Sequence, residues 1–401
     1  MKEKFRRKVL ENGMTILFEK RDVPVVSVAI GVRYGSINEE LSEKGLAHFI
    51  EHMLYKGTEK RNTQKISNDI ERNGGELNGF TTEVATAYHC RMPSKHLDVA
   101  LDVLSDIVKN PLFDGKELEK ERNVIFEEIK MYKDNPRLHA VDEIQKLLYD
   151  GSLSVNIIGT YETMNSIDRK KMVKKFEEVY KPNNLILCVV GDAEFDKLVD
   201  FAEKNFKDKK VGKIPEQKFG EINKSKIEER EGVDQANLIF AYHIPNSTEK
   251  KSYAARVLST LMAGGMSSRL FHEIREKRNL AYAVKGDSAI YKKFAYSLIY
   301  VGTTKDKVDK VKEIILKEFE DVSKNLTEKE LNEVKEQIIG KYQISMEDSQ
   351  DQMVNLLMSE IDGNAYDFYD FEEKIKNVNL SEVKELANIK NHSFFALVPK
   401  Q

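Results

Sequence analysis

The spacing of apolar and polar residues predicts short strands alternating with amphipathic helices. Residues 25–32, which follow Pro24, are rich in Val and Ile and are typical of a strand. Residues 45–54 change to a helical spacing, and a helix over residues 63–72 ends at the Asn-Gly-Gly stop of residues 73–75. Further strands are predicted within residues 8–18, 76–92 and 185–191, and further helices over residues 95–108, 114–132 and 195–206.

A change of composition separates this pattern from a second, similar one. Residues 207–230 open with a run of charged residues, contain scattered Gly and Pro and show no helical period, which indicates an interdomain linker. The order of elements then repeats, and we predict two similar domains, residues 1–206 and 231–401. In the second domain, strands are expected within residues 238–243, 282–302 and 394–398, and helices over residues 253–262, 267–278, 305–323 and 327–345.

Composition narrows the class of protein. The 401 residues are 40% hydrophobic and 33% charged, and a net charge of −3 gives no reason to expect nucleic acid or an anionic membrane as a partner. The two cysteines, Cys90 and Cys188, are too few for a disulfide scaffold, and we expect buried thiols in a reducing compartment. The sequence has no recognisable signal peptide or transmembrane span, so the cytoplasm is the expected location.

The residues with the clearest chemistry are His48, Glu51 and His52, an H-x-x-E-H run in an apolar segment that favours a helix. Two histidines four positions apart lie on one face of a helix, so both imidazoles can bind the same metal ion. The glutamate beside them could take a proton from a metal-bound water, as in the inverted form of the H-E-x-x-H zinc motif. The alternative is a chance match, in which both histidines are ordinary packed or surface residues.

A third ligand is needed, because catalytic zinc usually has three protein ligands and one open position. On the predicted helix over residues 114–132, Glu121, Val124, Ile125 and Glu128 share one face. Its two apolar members indicate that this face is buried. Buried carboxylates are costly unless something pairs with them, and a metal ion with its histidines would do so. We therefore expect Glu128 as a ligand, in preference to Glu127, and Glu121 as the carboxylate that orients an imidazole.

The segment over residues 45–58 resembles the inverted zinc motif of the pitrilysin/insulinase metallopeptidases, the family that includes the mitochondrial processing peptidase. Glu128 follows His52 by 76 positions, which is similar to the family's spacing to its third ligand, and Glu121 matches its buried second glutamate. The resemblance runs through nearly the whole chain. It implies an α+β fold of two similar domains, each a mostly antiparallel sheet packed with helices, and one Zn²⁺ per subunit.

Residues 74–81 resemble the turn and edge strand that bind extended peptides in this family. In that mode a peptide adds to the exposed edge of a sheet through main-chain hydrogen bonds. The resemblance implies substrate contacts at Asn78, Gly79 and Phe80. Taken alone, the same residues equally suit an ordinary turn followed by a Thr-rich strand.

Arg275 and Tyr282 match an arginine and a tyrosine, seven residues apart, that project towards the zinc of a facing subunit or half in this family. The resemblance implies that they hold the substrate carbonyl and stabilise the developing oxyanion. Without the resemblance we would interpret them as a surface ion pair and a strand tyrosine. Because the chain is half as long as the family's long single-chain members, a homodimer, or a heterodimer with a related subunit, is implied.

The second domain is expected to lack a metal site of its own. When the two halves are aligned, the positions opposite the H-x-x-E-H residues carry neither an imidazole nor a carboxylate. These positions are Arg256, Ser259 and Thr260, and Lys341 stands opposite Glu128.

Together these features predict a zinc-dependent endopeptidase that hydrolyses peptides or unfolded segments inside a dimer chamber. The expected mechanism is attack by a metal-activated water, with Glu51 as the base and afterwards as the acid for the leaving amine. The main alternative is a non-catalytic core or peptide-binding subunit of the same fold, and another is a hydrolase or lyase that acts on small molecules. The intact set of His48, Glu51, His52 and Glu128 argues against a subunit that has lost its site.

Overall fold

The computed structural model describes residues 4–400, which form two compact units. The first unit contains residues 4–130, 155–218 and 345–369, and the second contains residues 131–154, 219–344 and 370–400. Each unit is a sheet packed with helices, which confirms the predicted α+β class. In the part of the chain that the structure describes, no helix is both long and apolar enough to cross a membrane.

The sheet of the first unit has six strands. They are β1 Phe5–Val9, β2 Thr15–Lys20, β3 Val25–Val32, β4 Glu76–Thr81, β5 Thr86–Pro93 and β6 Leu185–Gly191. Their order is β1-β2-β6-β3-β5-β4, and all pairs are antiparallel except β2 with β6. The central strands β3 and β6 are nearly continuous runs of buried apolar residues, as expected for strands covered on both faces. This order leaves β4 at one edge of the sheet.

The sheet of the second unit has five strands. They are β7 Ser225–Arg230, β8 Ala236–His243, β9 Ala281–Ile290, β10 Ala295–Thr303 and β11 Ser393–Pro399. Their order is β7-β11-β8-β10-β9, and only β7 and β11 are parallel. Both sheets are therefore mostly antiparallel, and β9 takes the edge position in the second that β4 takes in the first.

Helices cover these sheets, and two of them join the opposite unit from the one that their sequence position predicts. The α-helices within residues 4–400 are α1 Leu46–Leu54, α2 Thr63–Glu71, α3 Leu97–Lys109, α4 Gly115–Asp134, α5 Pro136–Leu148, α6 Tyr161–Ser166, α7 Arg169–Val179, α8 Phe195–Asn205, α9 Ser252–Ala263, α10 Val308–Asn325, α11 Glu328–Ser345, α12 Ser349–Asp362, α13 Phe371–Lys376 and α14 Leu380–Ala387. After α4 the chain continues as α5, which packs on β8 and β11 in the second unit. After α11 it continues as α12, which packs on β3 and β6 in the first unit.

The compact units therefore differ from a division by sequence order. Residues 131–154 and 345–369 exchange units because α5 and α12 each bury their apolar side chains against a sheet formed mainly by the other half of the chain. The predicted linker also differs, since residues 225–230 form strand β7. The predicted helix over residues 267–278 contains one short π-helical segment, Phe271–Glu276.

A buried carboxylate fixes the end of α12. The side chain of Glu360 is only 1% exposed and pairs with Arg7 at 2.7 Å and Arg33 at 3.0 Å. Burial acts to raise the pKa of this carboxyl, but the hydrogen bond and charge of Arg7, with the charge of Arg33, hold it below its ordinary value. These ion pairs tie α12 to the sheet of the first unit.

Candidate metal and catalytic site

The H-x-x-E-H residues lie on α1, whose N-terminus is held in place by a buried glutamate. Glu39 accepts hydrogen bonds from the backbone N–H groups of Gly45, at 3.0 Å, and Ala47, at 2.5 Å. A carboxylate is favourable there because the first N–H groups of a helix have no partner within the helix. Gly45 has a φ of 90°, and a Cβ at this position would collide with the end of Met164. The start of α1 is thus fixed before its first histidine.

The imidazoles of His48 and His52 and the carboxylate of Glu128 point to one place. The two Nε2 atoms lie 3.2 Å apart, and the Glu128 oxygens lie 3.6 Å from that of His48 and 3.7 Å from that of His52. Ligand atoms bound to one tetrahedral zinc at roughly 2.0–2.1 Å are about 3.3 Å apart. The three separations, which join two nitrogens and the two oxygens of one carboxylate, are close to that value. Within residues 4–400 this is the only group of three His, Cys, Asp or Glu side chains close enough to hold a metal ion.

Glu121, two turns before Glu128 on α4, orients one of the imidazoles. Its carboxylate lies 3.0 Å from His52 Nδ1 and accepts a charged hydrogen bond from Lys56 Nζ at 2.6 Å. Because the Glu121 contact occupies Nδ1, Nε2 of His52 is the nitrogen that faces Glu128. This is the arrangement that metal-binding histidines usually have.

The face of α4 that carries these glutamates is only partly buried, which corrects one prediction. Glu121 and Ile125 are buried, whereas Val124 is 44% exposed. A helix turns 100° per residue, so Val124 stands at the margin of the stripe centred between Glu121 and Ile125. Glu127 is exposed and lies outside this stripe.

The electrostatics of this pocket favour a bound cation. Burial, with the neighbouring His52, lowers the pKa of His48 to about 3, so its imidazole is neutral and able to bind a metal. Burial raises the pKa of Glu128, and the charge of Glu121 adds to this effect. For His52, burial acts to lower the pKa, but the hydrogen bond with Glu121 and the charge of Glu128 raise it overall. A metal ion would offset the cost of keeping these carboxylates ionised.

Glu51 lies on α1 between the two histidines and contacts β4. Its side chain is buried, and Oε2 accepts a hydrogen bond from the Thr81 hydroxyl at 2.6 Å. Burial raises the pKa of this carboxyl, and the Thr81 hydroxyl partly offsets the effect. A raised pKa makes this carboxyl a better proton acceptor, which suits a group that has to take up a proton and return it.

The predicted substrate residues lie on β4, the edge strand next to Glu51. The Asn78 carbonyl accepts a hydrogen bond from the Tyr55 hydroxyl at 2.8 Å, and the Phe80 ring centroid lies 5.9 Å from that of His89. A Cβ at Gly79 would lie 2.5 Å from the Tyr55 hydroxyl and 3.0 Å from Glu51 Oε1. Among the described strands, only β5 pairs with β4, so its outer edge is available to a further strand.

Arg275 and Tyr282 lie in the second unit and contact one another. The Arg275 guanidinium lies 4.9 Å from the ring centroid of Phe271 and 5.9 Å from that of Tyr282. Arg275 is the last residue but one of the π-helical segment, and Tyr282 lies at the start of β9 with 76% of its surface exposed. The structure thus places these two predicted residues side by side on the surface of their unit.

In the second unit, the positions opposite Glu51 and Glu128 do not carry carboxylates. Ser259, which the sequence alignment places opposite Glu51, lies 2.8 Å from the Ser288 hydroxyl and 2.9 Å from that of Ser297. Lys341, opposite Glu128, donates a hydrogen bond to the Gly264 carbonyl at 2.8 Å. These contacts need neither a metal nor a carboxylate.

Sequence reasoning did not assign roles to Thr81, Tyr55 and Lys56. Thr81 ends the stretch that suggested the substrate strand, and a buried Glu51 requires a hydrogen-bond donor, so the need for such a residue was visible. The choice of Thr81 depends on the register of β4 against α1, which the sequence does not show. Lys56 follows His52 by one helical turn, a spacing that could have suggested the shared partner, Glu121.

Two family models match successive parts of this chain. The family model for insulinase (peptidase family M16) matches residues 15–161, and the model for the peptidase M16 inactive domain matches residues 166–338. A relative from Bacillus subtilis, named uncharacterized zinc protease YmxG, is 33% identical over 87% of this chain and 86% of its own. A second, from Rickettsia felis and also named uncharacterized zinc protease, is 32% identical over 84% of this chain and 83% of its own.

Solved structures share the fold over the full length of the chain. The crystal structure of a protease from Helicobacter pylori matches with a TM-score of 0.91 and 22% identity, over 99% of both chains. The structure of a peptidase M16 inactive domain from Pseudomonas fluorescens matches with a TM-score of 0.89 and 19% identity, over 99% of this chain and 98% of that one. The solved structures show a shared fold, and the two relatives above 30% identity, together with the family models, show that the chain belongs to the insulinase family of peptidases, family M16.

Proposed function

We propose that this protein is a zinc-dependent endopeptidase that hydrolyses peptides or unfolded segments. The observation that carries the proposal is the convergence of His48, His52 and Glu128 at separations of 3.2, 3.6 and 3.7 Å, with Glu51 beside them. The two relatives are named zinc proteases, which supports zinc as the metal. Other divalent ions also bind sites of nitrogen and oxygen ligands, so the identity of the metal as zinc is itself a proposal.

In the proposed mechanism, His48, His52 and Glu128 would hold the metal ion. When bound, zinc would supply Lewis acidity, which makes water easier to deprotonate near neutral pH. Glu51 accepts the proton of the attacking water on its carboxylate and returns it to the leaving amine. The Glu121 carboxylate keeps His52 in the tautomer that presents Nε2.

We propose that the peptide is bound as an added strand on β4. The support is that this edge is open among the described strands and that Gly79 brings it against Glu51. Main-chain hydrogen bonds to Asn78, Gly79 and Phe80 would then hold a substrate without strong dependence on its side chains. This mode suits extended, unfolded segments.

We further propose that the protein works as a homodimer or with a related subunit, in the cytoplasm, and that Arg275 and Tyr282 of one copy serve the metal site of the other. Their contact with one another and the exposure of Tyr282 support this role. Two single variants test it. Glu51→Gln removes the base and Arg275→Ala removes the cation, so a mixed dimer of the two inactive variants contains one intact site. Recovery of activity on mixing supports sharing between copies, and no recovery contradicts it.

The main test of the function compares the wild type with Glu51→Gln on a quenched-fluorescent, unstructured peptide, with zinc per chain measured for both. Cleavage lost in the variant, with zinc retained, is the expected result. A non-catalytic or peptide-binding subunit is the second candidate, because one of the similar structures is that of a peptidase M16 inactive domain. Zinc binding by the wild type without cleavage of any peptide in a broad set would favour that candidate.

A further inference from the structure

Two hydroxyl groups fasten the edge strand β4 to α1. Thr81 donates a hydrogen bond to Glu51 Oε2 at 2.6 Å, and Tyr55, just after α1, donates one to the Asn78 carbonyl at 2.8 Å. Gly79 lies between these two contacts, and any side chain there would meet both the Tyr55 hydroxyl and the Glu51 carboxylate. The strand therefore approaches the helix closely, and the approach is fixed at two points.

The contact with Thr81 restricts the carboxylate of Glu51. A glutamate side chain has three torsion angles, and a buried one without a partner could point in several directions. Here Oε2 is taken by the Thr81 hydroxyl, while no hydrogen bond to Oε1 is found within residues 4–400. One oxygen is thus anchored to β4 and the other is left to accept a proton.

The second unit repeats the contact without the chemistry. Ser288 on β9 lies 2.8 Å from Ser259 on α9, and Gly286, two residues before Ser288, would place a Cβ 2.8 Å from Ala263. The order Gly-x-hydroxyl on the edge strand, against a helix, is the same as for Gly79 and Thr81. A hydroxyl contact at this junction therefore stabilises the fold in one unit, while in the other unit it also holds a carboxylate.

We propose that Thr81 is a positioning residue, which sets the Glu51 carboxylate in register with a peptide bound on β4. The Thr81 hydroxyl belongs to β4, the strand that would bind the peptide. The backbone of β4 therefore sets the position of both the Glu51 carboxylate and the scissile bond. The inference rests on the proposed peptidase function and deepens it.

The test uses two substitutions at one position. Thr81→Val keeps the shape and removes the hydroxyl, whereas Thr81→Ser keeps the hydroxyl. With a misplaced base, kcat of the Val variant is expected to fall by about 10-fold to 100-fold with KM and bound zinc unchanged. The Ser variant is expected to stay within about threefold of the wild type, since one hydrogen-bond donor is enough to orient the carboxylate.

Ser288→Ala is the matched control, because it removes the equivalent contact where no carboxylate is present. It is expected to lower the midpoint of thermal unfolding and leave kcat unchanged. The inference is overturned if Thr81→Val keeps kcat near the wild-type value, or if Thr81→Ser is as impaired as Thr81→Val. Either result with an active wild type leaves the proposed peptidase function standing.

A measurement that does not depend on catalysis separates the positioning role of Thr81 from the proposed peptidase function. Thermal unfolding of the metal-free protein is measured for Thr81→Val, Glu51→Ala and the double variant. Non-additive shifts support the contact, whereas additive shifts overturn the inference even if the wild type cleaves no peptide. A wild type that binds zinc and cleaves nothing contradicts the proposed function alone.

Discussion

Replacing Glu121 with Gln should weaken zinc binding without removing a metal ligand. The Glu121 carboxylate accepts two hydrogen bonds, from His52 at 3.0 Å and from Lys56 at 2.6 Å. The Gln amide has one acceptor oxygen, so one donor loses its partner and faces an N–H group instead. A hydrogen bond to a charged group contributes roughly 1.5–3 kcal/mol to stability. If most of the lost energy held His52 in its metal-binding orientation, zinc affinity falls by about 10-fold to 100-fold.

Competition with a chromogenic zinc chelator measures this affinity directly. Glu127→Gln is the matched control, since Glu127 lies on the same helix, is exposed and stands one residue from Glu128. The prediction is wrong if Glu121→Gln binds zinc within about twofold of the wild type, or if Glu127→Gln loses as much affinity. Mutation of a residue that hydrogen-bonds to a metal ligand normally lowers metal affinity by about 10-fold or more.

Three further substitutions test the metal site, the edge strand β4 and the buried ion pairs of Glu360. Glu128→Gln should bind zinc more than about 100-fold more weakly in the same chelator assay, while Glu127→Gln should lose no affinity. The reason is that even mutation of a residue that only hydrogen-bonds to a metal ligand lowers affinity by about 10-fold to 100-fold. Gly79→Ala should lower the peptidase rate by about 10-fold or more at unchanged zinc content, because its Cβ would lie 2.5 Å from the Tyr55 hydroxyl and displace β4. Glu360→Gln should reduce the free energy of unfolding by about 3 kcal/mol in urea at pH 7, because two arginines lose their buried partner. In the folded wild type, the pKa of Glu360 is held below its ordinary value. The contribution of Glu360 to the free energy of unfolding is therefore complete above about pH 5 and is lost as the pH falls through the folded pKa. Below about pH 4, wild-type stability should fall more steeply than that of the variant.

The sequence was sufficient to predict the elements that have a strong apolar period and clear ends. The strand Val25–Val32 has the predicted bounds, and the helix Leu46–Leu54 begins one residue later than predicted. The histidine spacing on that helix, and the face of α4 that carries Glu121 and Glu128, follow from helical geometry alone. Residues of one element share a face because the element is regular, and regular geometry can be extrapolated from a sequence.

Other features depend on packing between distant segments and could not be predicted. Helices α5 and α12 belong to different units from the helices before them, because their apolar faces fit sheets formed by residues far away in sequence. The Thr81 hydroxyl reaches Glu51 only because Gly79 permits the close approach of β4 to α1. The exposure of Val124 depends on how far the rest of the protein packs over α4, and the sequence of the helix alone does not show this.

The most direct test of the central claim is a zinc titration of metal-free protein, with peptide cleavage measured at each addition. The account predicts that the rate rises linearly and stops rising at one zinc per chain. It also predicts that Glu51→Gln binds the same amount of zinc and stays inactive, since Glu51 is the base and not a ligand. Cleavage that is independent of added zinc, or full zinc binding by a wild type that cleaves no peptide, would contradict it.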